Sequence, residues 1–134
     1  MQAMHDLREV LRVFSALGIP YALGGSMASS IHGMVRFNCN ADITAEPFPG
    51  KEAQLASAFG ADYYLSLPAV QKAVQQRSSF NIINMSTGFK VDVFIRKDRP
   101  FEQSAMSRRL TVDLPEAPGE PHRLRDLLLF AFHA

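Results

Sequence analysis

A carboxylate in the middle of an apolar run is the feature that most narrows what this chain can fold into. In Phe89-Lys90-Val91-Asp92-Val93-Phe94-Ile95, Asp92 stands between two valines in a stretch rich in β-branched and aromatic residues, the composition of a half-buried strand. A charge flanked by buried apolar neighbours is costly unless it is paired, hydrogen-bonded or metal-bound, so Asp92 requires a partner. An earlier segment, Arg36 to Thr44, also reads as a strand and carries Asn38, Asn40 and Asp42 two residues apart. Period two sends these side chains to one face of a sheet, where oxygen ligands suit a hard cation.

The rest of the chain supplies alternating helices and strands. Leu7, Val10, Leu11 and Phe14 recur at helical spacing with charged residues between them, predicting an opening amphipathic helix that ends near Gly18. Pro20 blocks its continuation, and Tyr21-Ala22-Leu23 predicts a short strand. That strand runs into Gly24-Gly25, after which Ser26 is a good N-cap for a helix to about Gly33. Helices are predicted over Gly50 to Phe59, Pro68 to Arg77 and Phe101 to Arg109. Phe80 to Met85 and Phe89 to Ile95 predict a hairpin closed by Ser86-Thr87-Gly88, Leu110 to Leu114 a further strand, and Leu124 to Phe132 a last helix. The order is that of one mixed α/β domain spanning 1–134.

Composition excludes several classes. The 134 residues are 47% apolar with a net charge of +1, enough for a core but without the global basic field of a nucleic-acid binder. A lone cysteine, Cys39, excludes an internal disulfide framework and a zinc site of several thiolates. No run approaches about 18 consecutive apolar residues, the length of a membrane span. A cytoplasmic protein is the expectation.

Glycines let a backbone approach a ligand closely, and a helix beginning just after them presents free N–H groups and a positive dipole end to an anion such as phosphate. Leu23-Gly24-Gly25-Ser26, then Arg36, then Asn40-Ala41-Asp42-Ile43, then Lys90-Val91-Asp92-Val93 together resemble the nucleotidyltransferase superfamily of the DNA polymerase β type. The similarity is greatest to the minimal nucleotidyltransferases and the proteins related to AbiEii toxins, and it covers roughly Tyr21 to Ile95. The resemblance implies an α/β (α+β) fold with a mixed β-sheet and helices packed mainly on one face. It implies that Gly24, Gly25 and Ser26 cradle the triphosphate of an NTP, that Arg36 steadies the strand or touches phosphate, and that Asp42 and Asp92 hold magnesium or manganese. Asp92 would also help deprotonate an acceptor hydroxyl on protein, RNA or a small molecule.

Asn40 departs from that pattern, standing where the family has its first aspartate. An amide carbonyl ligates a cation but brings no charge, so the metal is held less tightly and less transition-state charge is stabilised. The alternative expectation is therefore a catalytically impaired module that binds a nucleotide or a partner, as in a toxin–antitoxin pair. The last predicted helix is short at Ala134, and the Leu127-Leu128-Leu129-Phe130 run suggests a homodimer.

Other residues have plainer readings. Asp92 paired with Arg36 would need no metal. Cys39 reads as a small buried filler, and His5, His32, His122 and His133 lack metal-ligand spacing. Met27, Met34 and Met85 read as core or groove packing, and the cationic run Arg96 to Arg99 as a solvated loop within reach of an acceptor's phosphates.

Overall fold

The computed structural model describes residues 2–23, 40–100, 110–112 and 127–129. Helix α1, Gln2–Ala16, buries Leu7, Val10, Leu11 and Phe14 completely. Each such side chain contributes about 2 kcal/mol of transfer free energy. The chain leaves the helix through Gly18, whose φ of 71° is left-handed, and the Ile19 amide returns to the Phe14 carbonyl at 2.9 Å. Glycine meets that backbone requirement at no steric cost.

Strands β1, Tyr21–Leu23, and β2, Asn40–Ala45, follow, then helix α2, Glu52–Ser57, and a two-residue strand β3, Tyr63–Tyr64. Helix α3, Leu67–Gln76, leads to β4, Ser79–Asn84, and β5, Lys90–Ile95. The ends of α3 are set by sequence: the Ser66 side chain accepts from the Ala69 amide, Pro68 occupies the first turn, and Arg77 closes the helix at a φ of 51°. Strands β6, Leu110–Val112, and β7, Leu127–Leu129, complete the described elements.

These strands form one sheet in the order β3-β4-β5-β2-β1-β7-β6. It is mixed: β2 pairs parallel to β5 and β1 parallel to β7, while the remaining neighbours are antiparallel. One face is the floor of the core. Tyr21 and Leu23 of β1, Ala41, Ile43 and Ala45 of β2, Phe80 and Ile82 of β4, and Val91, Val93 and Ile95 of β5 are buried there. Leu55 of α2 and Val70, Ala73 and Val74 of α3 join the same cluster as the α1 side chains, so all three described helices cover this face. The expected mixed sheet with helices on one face is the observed architecture. Phe14 and Phe48, then Phe48 and Phe80, meet edge-to-face at centroid separations of 6.4 and 6.3 Å, linking α1 to β4.

The β4–β5 hairpin closes as expected around Ser86-Thr87-Gly88. Asn84 Oδ1 accepts from the amides of Ser86 and Thr87 at 2.9 and 3.2 Å, and Gly88 adopts a φ of 79°. The same Asn84 donates through Nδ2 to Asp6 Oδ1 at 3.2 Å, and Thr87 Oγ1 donates to Asp6 Oδ2 at 2.7 Å. Asp6 is fully buried, so this polar cluster pins α1 to the hairpin.

Two expectations are corrected, and one strand was not foreseen. The final helix over Leu124 to Phe132 gives way to strand β7 at Leu127–Leu129, between β1 and β6; a short apolar run fits either state, and strand pairing decides. Met85, expected in core or groove packing, is 66% exposed, because the ladder that buries Asn84 turns its neighbour outward. Strand β3 is too short to leave a periodic signal; it is held by the Met85 amide on the Asp62 carbonyl at 2.6 Å and by the Tyr63 hydroxyl donating to Glu9 Oε1 at 3.0 Å. The helices expected over 26–33 and 101–109 lie outside the described residues. No helix among the described residues is long and apolar enough to cross a membrane.

Candidate functional site

The pleat resolves the puzzle of Asp92. Its neighbours Val91 and Val93 point into the core and are fully buried, so Asp92 projects from the opposite, open face, where it is only half-buried. The parallel pairing of β2 with β5 sets Asn40 opposite Lys90, Asp42 opposite Asp92, and Thr44 opposite Phe94. On the other side of β5, Ile83 lies opposite Lys90, Asn81 opposite Asp92 and Ser79 opposite Phe94. The open face therefore carries three cross-strand rows, and the middle one reads Asp42, Asp92, Asn81.

Directly opposed carboxylates repel, and the pair shows it. The Asp42 carboxyl is raised above the ordinary aspartate value, first by partial loss of hydration against the sheet, then by the charge of Asp92 and a hydrogen bond between the two side chains; Lys90 pulls it partly back down. Both side chains retain access to solvent, which screens the repulsion. A shared proton or a cation would relieve that repulsion.

Stability follows with a definite sign. Because the folded-state value of Asp42 lies above its reference of 3.8, the stability tied to its proton is complete below that pH and is lost as pH rises through the folded-state value. Asp42→Asn removes the loss, so near neutrality the variant is more stable than the parent, by at most about 1 kcal/mol at this solvated position. Urea denaturation from pH 4 to 7 checks this: the advantage of Asp42→Asn grows with pH, whereas parallel profiles would show that the Asp42 carboxyl is not raised.

Of the residues expected in the site, the structure brings together Asn40, Asp42 and Asp92. Gly24, Gly25, Ser26 and Arg36 lie outside the described residues, as do Cys39, His32, Met27 and Met34. Strand β1 ends at Leu23, which pairs with Ile43, the residue after Asp42. Two neighbours were not foreseen. Lys90 shares the period-two face of Asp92 and is detectable from that spacing alone, whereas Asn81 enters only through the hairpin register.

Lys97, Asp98 and Arg99 of the cationic run are exposed as expected, while Arg96 and Lys97 also tie elements together. Arg96 Nε donates to both oxygens of Glu46 at 2.9 and 2.8 Å, Lys97 Nζ donates to the Arg77 carbonyl at 2.8 Å, and Arg77 Nη1 donates to the Arg96 carbonyl at 2.9 Å. These bonds clamp the end of α3 to the ends of β2 and β5.

The donor set fits a hard divalent cation in part. Asp42 and Asp92 offer carboxylate oxygens side by side and Asn40 a carbonyl on the same strand face. No group of three or more histidine, cysteine, aspartate or glutamate side chains is gathered for a metal among the described residues. Comparison of the chain with family models, with curated proteins and with solved structures finds no match.

Proposed function

We propose that this chain is a nucleotidyltransferase that holds a magnesium nucleoside triphosphate on the open face of its sheet and transfers the nucleoside monophosphate to a hydroxyl of protein, RNA or a small molecule. The observation that carries the reading is the register placing Asp42 directly beside Asp92 on two parallel central strands. The charge of Asp92 beside it adds to the cost of ionising Asp42, and a divalent cation would offset that cost. When bound, magnesium or manganese neutralises phosphate oxygens during in-line displacement.

The residues supply the rest. Asp42 and Asp92 would hold the cation, and Asp92 would receive the acceptor's hydroxyl proton as the new oxygen–phosphorus bond forms. The bond between the α-phosphorus and the bridging oxygen then breaks and pyrophosphate leaves. Gly24, Gly25 and Ser26 follow β1, whose last residue pairs beside Asp42, and in this reading their backbone amides receive the triphosphate. The resemblance of the glycine and aspartate motifs to the nucleotidyltransferase superfamily supports the same assignment, and the single cysteine suits a cytoplasmic protein.

A second reading, a catalytically impaired nucleotide-binding or partner-binding module of the toxin–antitoxin kind, draws on Asn40. Asn40 stands opposite Lys90, so the position where a further carboxylate would serve the metal carries a neutral amide facing a cation. Asn40→Asp separates the readings. Pyrophosphate release from labelled NTPs by the parent protein with magnesium or manganese supports transfer. Release at least about tenfold greater in Asn40→Asp than in a near-inactive parent supports the impaired module. No release from either, with no nucleotide bound, removes both.

A further inference from the structure

Three large apolar side chains are exposed among the described residues: Tyr64 at 53%, Met85 at 66% and Phe94 at 45%. Strand alternation puts all three on the open face, the face of the carboxylate pair. Tyr64 lies opposite Ile83, and Met85 continues the same ladder, so these form an apolar corner at the β3 edge. Phe94 is set apart. Its cross-strand neighbours are Thr44 and Ser79, and along its own strand the next side chain on that face is Asp92, about 7 Å away.

We propose that Phe94 is the platform on which the nucleobase of the bound nucleotide stacks, an inference that rests on the nucleotide site proposed above. An isolated ring ringed by hydroxyl, amide and carboxylate groups is a poor protein interface, which needs on the order of 800 Å² of contiguous surface per partner. A nucleobase needs only one ring face, with polar groups at its edge. Ser79 and Asn81, both exposed and both on the neighbouring strand, flank the ring and offer such groups. Stacking accepts any base because every base has a π-face. The distance from Phe94 to Asp92 spans the gap between a base and the phosphates that the carboxylates' cation would hold. Tyr64 sits two strands from β5 and two residues along, about 12 Å from the pair, too far to serve the same nucleotide.

Calorimetric titration of magnesium ATP and of magnesium tripolyphosphate, which has no base, tests the assignment on the full chain. The parent binds ATP more tightly than tripolyphosphate by about tenfold or more. Phe94→Ala erases that preference while leaving tripolyphosphate affinity unchanged, Phe94→Tyr retains it, and Tyr64→Ala changes neither ligand. A preference that survives Phe94→Ala overturns the platform. So does a parent that binds tripolyphosphate and ATP equally, with the phosphate site left standing. A parent that binds neither removes the nucleotide site and the platform together.

Discussion

Asp6→Ala lowers the unfolding free energy by about 3 kcal/mol. Asp6 is fully buried and accepts from Asn84 Nδ2 at 3.2 Å and from Thr87 Oγ1 at 2.7 Å. Truncating the acceptor leaves the buried Asn84 amide without its partner, at about 1 to 3 kcal/mol, and removes the bond from the exposed Thr87 hydroxyl. The damage spreads because Asn84 also organises the turn through the amides of Ser86 and Thr87. Thr87→Val removes one of the two bonds and costs about 1 to 2 kcal/mol. Equilibrium urea unfolding measures both. A loss below about 1 kcal/mol for Asp6→Ala would mean that the Asp6 cluster does not hold α1 to the hairpin.

The second large effect is on ligand binding. Asp42→Ala and Asp92→Ala each abolish metal-dependent nucleotide affinity, a loss of at least about a hundredfold, while the fold persists. Each removes one of the two anionic ligands of the proposed site, and what remains would not hold a divalent cation against Lys90, whose charge lies close enough to shift Asp42. Neither side chain is in the core, and losing one member relieves the repulsion that raises the Asp42 carboxyl, so unfolding midpoints stay level or rise. A variant that binds magnesium ATP as the parent does would free its carboxylate from the metal role, and a variant that unfolds would make that carboxylate structural.

Elements with a clear period were legible from residues alone. The α1 stripe, the Pro68 start of α3 and the alternation in β4 and β5 each state one conformation, because local preference and core burial agree there. The Leu127-Leu128-Leu129 run states none, and pairing with β1 and β6 makes it a strand. The burial of Asp6 was missed because charged residues on an amphipathic helix are read as its wet side. Its spacing of four from Val10 and eight from Phe14 places it on the apolar stripe, a signal available in the sequence. At the site, period two put Asn40 and Asp42 on one face. It could not say which of them faces Asp92, because that depends on the register of two strands 50 residues apart in the chain.

The most direct test of the carboxylate pair as a nucleotide site is calorimetric titration of ATP into the unmodified chain, with magnesium and again after its removal by chelation. The proposed site predicts binding that requires the metal, returns when magnesium or manganese is restored, and disappears in Asp42→Ala. Absence of binding for every NTP with either metal, or binding indifferent to metal and to Asp42, would contradict it.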